Sequence, residues 1–267
     1  MSQSLSTEVD ELPDISHLAI EDDTPVDNLI SEKQQRLLTE PLYTNASVLG
    51  ERPFLVAANV GVFYASRKPP LVPDVFLSLD VEVPQDWTQK KNRTYFVWEF
   101  GKPPDVVIEI VSNREGNELD SKLRDYARIG VGYYAVFDPL QQLGEIDLYV
   151  FENRANHYHE LEQPWFAEVG LGLTLWDGQF EGKQDRWLRW CDRTGTVIPT
   201  GAERAELEHQ RAEQEHQRAE QECQRAEQER QRAEQERQRA EQERQRAERL
   251  AAQLRSLGIE PDPDLDA

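Results

Sequence analysis

The run PDVVIEIVS at 104–112 constrains this chain most. It is nearly all β-branched and continuously apolar, which fits a central strand buried on both faces. Directly after it, SNREGNELDSKLRDYARIGV switches to helical period. Leu119, Leu123, Tyr126, Ala127 and Ile129 form an inward stripe, and Gly130 supplies the residue that closes the helix. YYAVFDP at 133–139 is a second buried strand, stopped by Asp138-Pro139. Strand, helix and strand in this order predict an α/β domain.

The strand carries one anomaly. Alternate residues of a strand share a face, so Asp105, Val107, Glu109 and Val111 point one way, and Val106, Ile108 and Ile110 the other. Glu109 therefore sits inside an apolar run. A buried carboxylate costs several kcal/mol unless it meets a cation. A structural arginine or an exposed strand edge satisfies that need as well as a functional partner does. Asp74, in LVPDVFLSL, repeats the pattern where a strand enters the sheet, although Pro-Asp is also a common turn pair. Lys122 is offset by one position from Leu123 and flanks the buried helix face. Taken alone it reads as a solvated lysine.

The rest of the first 200 residues supplies the remaining layers. Residues 1–27 read as a polar lead-in, with an apolar contact at Leu18–Ile20. Asp27 or Asn28 caps a helix through LISEKQQRLLTEPL, with a stripe of Leu29, Ile30, Lys33, Leu37 and Leu38. Pro41 and the 45–50 region end it. Strands are expected at 54–65, 71–83 and 94–100, and a hairpin around Asn153–Asn156. Trp187 and Trp190 belong to a tail that packs back on the domain.

From Thr200 the chain becomes a heptad repeat, HQRAEQE and its variants. Its residues are strong helix formers, and opposite charges recur three and four apart, as in Arg232 with Glu236. Alanine is the sole apolar residue per heptad, whereas a coiled coil needs two apolar positions. The repeat therefore reads as a solvated, charge-laced helix rather than a strong zipper. Leu250, Ala251, Leu254 and Leu257 form a stripe suited to docking or self-association, ended by Gly258. The expected organisation is a lead-in at 1–27, a domain at 28–200, a repeat helix at 201–258 and an acidic tail at 259–267. The core-bearing part is then about 160–180 residues, ample for one domain.

Composition narrows the functional classes. A net charge of −21 argues against tight, non-specific nucleic-acid binding, though a locally basic cleft can sit on an acidic protein. Two distant cysteines do not make a disulfide framework, and the histidines show no zinc spacing. Without a signal-like N-terminus or a long apolar run, the expectation is a cytoplasmic protein with no membrane span.

Taken together, Pro73-Asp74, PDVVIEIVS, SKLRDYARIGV at 121–131 and YYAVFDP resemble the Uma2 (DUF820) family of the PD-(D/E)XK, restriction-endonuclease-like superfamily, over roughly 28–180. The resemblance implies a mixed central sheet flanked by helices. It implies catalytic roles for Asp74, Glu109 and Lys122, metal ligation by Asp74, Glu109 and Asp105, and Tyr126 lining the same groove. The lysine expected two residues after the acid is replaced by Val111, and Lys122 on the next helix is the candidate in its place. Members often add an acid from the first helix, for which Glu32 and Glu40 are available. The implied activity is hydrolysis of DNA phosphodiester bonds with Mg²⁺, or Mn²⁺ in its place. The alternative is a nuclease-fold binding or assembly module without catalysis, presented on a helical arm.

Overall fold

The computed structural model describes residues 28–112 and 118–256. The expectations for the lead-in, the acidic tail, Leu257 and Gly258 lie outside them. Asn28 caps α1 (Leu29–Thr44), its side chain accepting from the backbone N–H groups of Ile30 and Ser31. β1 (Phe54–Ala58) and β2 (Val62–Phe63) follow, separated by Asn59 with a positive φ of 54°. Then come β3 (Val75–Leu79), β4 (Tyr95–Phe96), the short α2 (Val97–Phe100) and β5 (Val106–Ile110). A π-helical turn (Glu118–Lys122) leads into α3 (Leu123–Ile129), then β6 (Tyr133–Phe137), β7 (Leu148–Arg154) and β8 (His157–Glu160). β9 (Trp165–Phe166), β10 (Leu171–Phe180), β11 (Lys183–Cys191) and α4 (Gly201–Ser256) complete the order.

The main sheet runs β1-β3-β5-β6-β7-β8. Only the β5–β6 pair is parallel, with α3 in the crossover, and the other neighbours are antiparallel. All five residues of β5 are buried, as a central strand requires. Its alternation divides the core. Val106, Ile108 and Ile110 join Leu38, Leu42 and Trp190 on one face, where α1 and the β10–β11 hairpin pack. Val107 and Val111 join Phe76, Tyr126 and Tyr134 on the other, beneath α3. Described residues fall into two units, one ending at Glu203 and one beginning at Arg204. α4 is one continuous helix of 56 residues with none buried. No described helix is long and apolar enough to cross a membrane.

Three local expectations are corrected. α1 continues through Pro41 to Thr44, and its buried face is Ser31, Gln34, Gln35, Leu38, Pro41 and Leu42, with Leu37 also inside. Leu29 is 79% exposed. The face is turned because Gln34 is satisfied indoors: its amide donates to the Leu188 carbonyl and accepts from the Leu188 N–H. The strand expected over 94–100 stops after two residues. The turn of α2 folds back and stacks Phe100 on Tyr95, with centroids 4.3 Å apart. Leu119 lies at the surface rather than in the stripe. The segment carrying it is π-helical, and the wider turn shifts its phase against α3.

Candidate active site

The antiparallel register of β3 and β5 pairs Val75 with Ile108 and Phe76 with Val107. One step further sets Asp74 beside Glu109, both on the face that carries Phe76 and Val107. Asp74 Oδ2 accepts the Ile110 N–H at 2.6 Å, so the carboxylate is tied to the end of the central strand. Its main-chain carbonyl accepts from Asn59 N–H. Asn59 Nδ2 donates to Gln35 Oε1 at 3.1 Å, and Gln35 Nε2 reaches Asp74 Oδ1 at 3.5 Å.

Glu109 is 1% exposed. Lys122 Nζ lies 2.9 Å from Oε2, and the Tyr126 hydroxyl donates to Oε1 at 2.8 Å. Both partners come from the segment after β5. Tyr126 is one helical turn beyond Lys122, so the two approach the carboxyl group from one side. Lys122 also stands 3.5 Å from Glu118 Oε1. Glu118 is buried, and its Oε2 has no hydrogen-bond partner.

Burial pushes the Glu109 carboxyl up to about 8; the Lys122 charge opposes this and Asp74 adds to it. For Lys122 burial pulls down, but the Glu109 carboxylate outweighs it, and the ammonium is held above its ordinary value. Burial, then Glu109, raises the Tyr126 phenol, which stays a neutral donor.

Asp74, Glu109, Lys122 and Tyr126 are thus brought together. Asp105 is not. It stands four residues from Glu109 along the same strand, about 13 Å away. There its Oδ2 accepts the Leu79 N–H at 2.7 Å and the Lys102 ammonium at 2.7 Å. Strand alternation placed Asp105 on the correct face but at the wrong end. Nor does Glu32 or Glu40 join: Glu32 pairs with Arg36, and Glu40 accepts from Thr44 and from the Gly201 N–H. The first helix contributes Gln35 instead. Glu118 was missed as well. Its only sequence signal is its place four residues before Lys122, one helical turn away.

Among the described residues no group of three or more His, Cys, Asp or Glu side chains is poised around a metal position. A two-carboxylate set still fits a hard divalent cation, since Mg²⁺ is commonly held by one or two carboxylates together with water and substrate phosphates.

The family model "Uma2: Putative restriction endonuclease" matches residues 20–176. The chain belongs to the Uma2 family. A solved structure similar to this Uma2 chain is "a putative nuclease belonging to DUF820 from Anabaena variabilis ATCC 29413". It is 15% identical, with a TM-score of 0.37, covering 52% of this chain and 71% of that one. No curated protein matches the chain.

Proposed function

We propose that this chain is a divalent-metal-dependent nuclease that hydrolyses DNA phosphodiester bonds at Asp74, Glu109 and Lys122. The observation that carries the reading is the 2.9 Å contact between Lys122, on the segment after β5, and the buried Glu109. It supplies the acid–lysine pair of this chemistry although Val111 occupies the usual lysine position.

Asp74 and Glu109 would hold the cation. When bound, the cation supplies Lewis-acid polarisation of the phosphoryl group. Tyr126 fixes the Glu109 carboxyl through Oε1. The Lys122 side chain is 34% exposed, so its ammonium faces both the buried acid and solvent. There it orients the attacking water and offsets negative charge as the phosphate passes through its transition state. Asn59 and Gln35 hold the loop that presents Asp74.

A second reading, a nuclease fold used without catalysis, is favoured by one observation: both oxygens of Glu109 are already bonded, as in a structural ion pair. Mg²⁺ or Mn²⁺ titration calorimetry and plasmid nicking separate the two, on the intact chain and on Glu109→Ala. The nuclease reading expects metal binding and nicking in the wild type and neither in the variant. Metal binding unchanged in Glu109→Ala removes Glu109 from the site.

A further inference from the structure

The face of the sheet that carries the acids also lines an apolar cavity of about 450 Å³. Phe76 forms part of its floor, two residues along β3 from Asp74 and hence about 7 Å away. Ala57 and Val60, on either side of Asn59, form another part, and Tyr95 and Phe100 close the far wall. The volume lies within the range of small-molecule sites, about 300–1,000 Å³.

Trp87 stands at its mouth, 67% exposed. Its loop is tightly bonded. Asp86 accepts from the Thr88 N–H and hydroxyl and from Gln89 Nε2. Asn92 Nδ2 donates to the Asp86 carbonyl, and Arg93 donates to the carbonyls of Trp87 and Thr88. The Thr88 and Gln89 bonds hold the fully exposed Asp86 carboxyl below its ordinary value. A fixed loop presenting a large exposed indole at an apolar cavity offers a stacking surface. The same loop carries Lys90 and Lys91 in a chain of net charge −21; Lys91 pairs with Glu99 at 3.2 Å, and Arg93 is engaged by the loop's own carbonyls.

We propose that this cavity takes an unstacked nucleobase, stacked on Trp87, from the nucleotide next to a phosphate held through the cation at Asp74 and Glu109, with Lys90 and Lys91 along the strand backbone. This rests on the nuclease reading. The chemistry is that of single-strand binding, in which aromatic faces hold bases and basic groups follow phosphates. Phe76, about 7 Å from Asp74 along β3, is the lining residue that links the cavity to the acids.

The test uses the full chain with Ca²⁺ in place of Mg²⁺ and fluorescein-labelled single-stranded DNA of about twelve nucleotides. One version carries a central aminopurine and another a central abasic site. Trp87→Ala is expected to weaken binding about tenfold and to abolish the aminopurine signal. The abasic strand should bind the wild type about tenfold more weakly yet cost the variant nothing further. Ala57→Leu, which fills the floor, should reproduce the loss, and Leu140→Ala, at a distant exposed residue, should not. Wild-type affinity in both Trp87→Ala and Ala57→Leu overturns the pocket, as does absence of any binding by the wild type. Plasmid nicking in Mg²⁺ is read separately. Nicking with no Trp87 dependence of binding sinks the pocket alone. Trp87-dependent binding without nicking keeps the base site and removes hydrolysis.

Discussion

Lys122 Nζ lies 2.9 Å from Glu109 Oε2, yet the two residues stand on different elements, the lysine on a π-helical turn and the glutamate inside a fully buried central strand of the sheet. The pair fastens the helix to the strand. Replacing Lys122 by Met leaves a carboxyl group buried without its cation. Breaking a fully buried pair costs about 3–5 kcal/mol; with Lys122 one-third exposed, about 1–3 kcal/mol is expected. Urea denaturation near pH 9, where the wild-type carboxyl is charged, measures it. Lys122→Met combined with Glu109→Gln should recover most of the loss, and an additive double variant would break the link.

The pH dependence has a definite sign. The Glu109 carboxyl is raised by burial to about 8, from an ordinary value of 4.5. A raised acid favours the fold while protonated. That contribution is complete below about 4.5 and is lost as pH rises through about 8. Glu109→Gln mimics the protonated form at every pH. In the absence of metal, its stability relative to wild type should therefore improve between pH 5 and pH 9. Denaturation midpoints in EDTA across that range check it; a constant difference would show that Glu109 does not titrate there.

Asp105 tests the division between site and scaffold. It caps the Leu79 N–H and pairs with Lys102. Asp105→Ala should cost about 1–2 kcal/mol through the lost acceptor of a partly buried N–H. Metal binding and nicking should stay at wild-type levels. Loss of metal binding in a variant that remains folded would return Asp105 to the ligand set.

Much of this was legible because desolvation leaves few options. A glutamate within PDVVIEIVS needed a partner, whereas Lys122 as that partner was legible only through the family resemblance, since taken alone it reads as a solvated lysine. The β5–α3–β6 order followed from a change of period. Positions where polar groups are satisfied indoors were not legible. Gln34 and Gln35 fall outside the apolar stripe that the sequence shows, and contacts with Leu188, Asn59 and Asp74, which are remote in sequence, turn them inward. The reach of Asp105 failed for a related reason. Alternation gives the face of a strand, whereas its position along the strand depends on which end the neighbouring acid approaches.

Gln35 stands where the first helix meets the site, its amide 3.5 Å from Asp74 Oδ1. Gln35→Glu would place a further carboxylate there. Like charges near Asp74 should lower apo stability by about 1 kcal/mol. A higher ligand charge should raise divalent-cation affinity about tenfold. Calorimetric Mn²⁺ titration and EDTA denaturation read the two effects. Lower stability without tighter binding would detach Gln35 from the metal-binding argument.

The last prediction concerns where the folded domain stops. Thr200 and Glu203 form a capping box: the Glu203 N–H donates to Thr200 Oγ1, and the Thr200 N–H donates to Glu203 Oε2. The same carboxylate takes two bonds from Arg189, whose side chain is 1% exposed and whose Nε has no hydrogen-bond partner. The first turn of α4 therefore belongs energetically to the sheet domain. A chain ending after Glu208 should denature like the full chain. One ending after Thr200 loses Glu203 and strands a buried guanidinium, which should cost about 1–3 kcal/mol after allowing for the partial exposure of Glu203. Arg189→Met in the shorter chain should recover much of that, because a well-packed apolar side chain replaces an unpaired buried charge. Equal stability of the two truncated chains would mean that the Arg189–Glu203 pair contributes nothing.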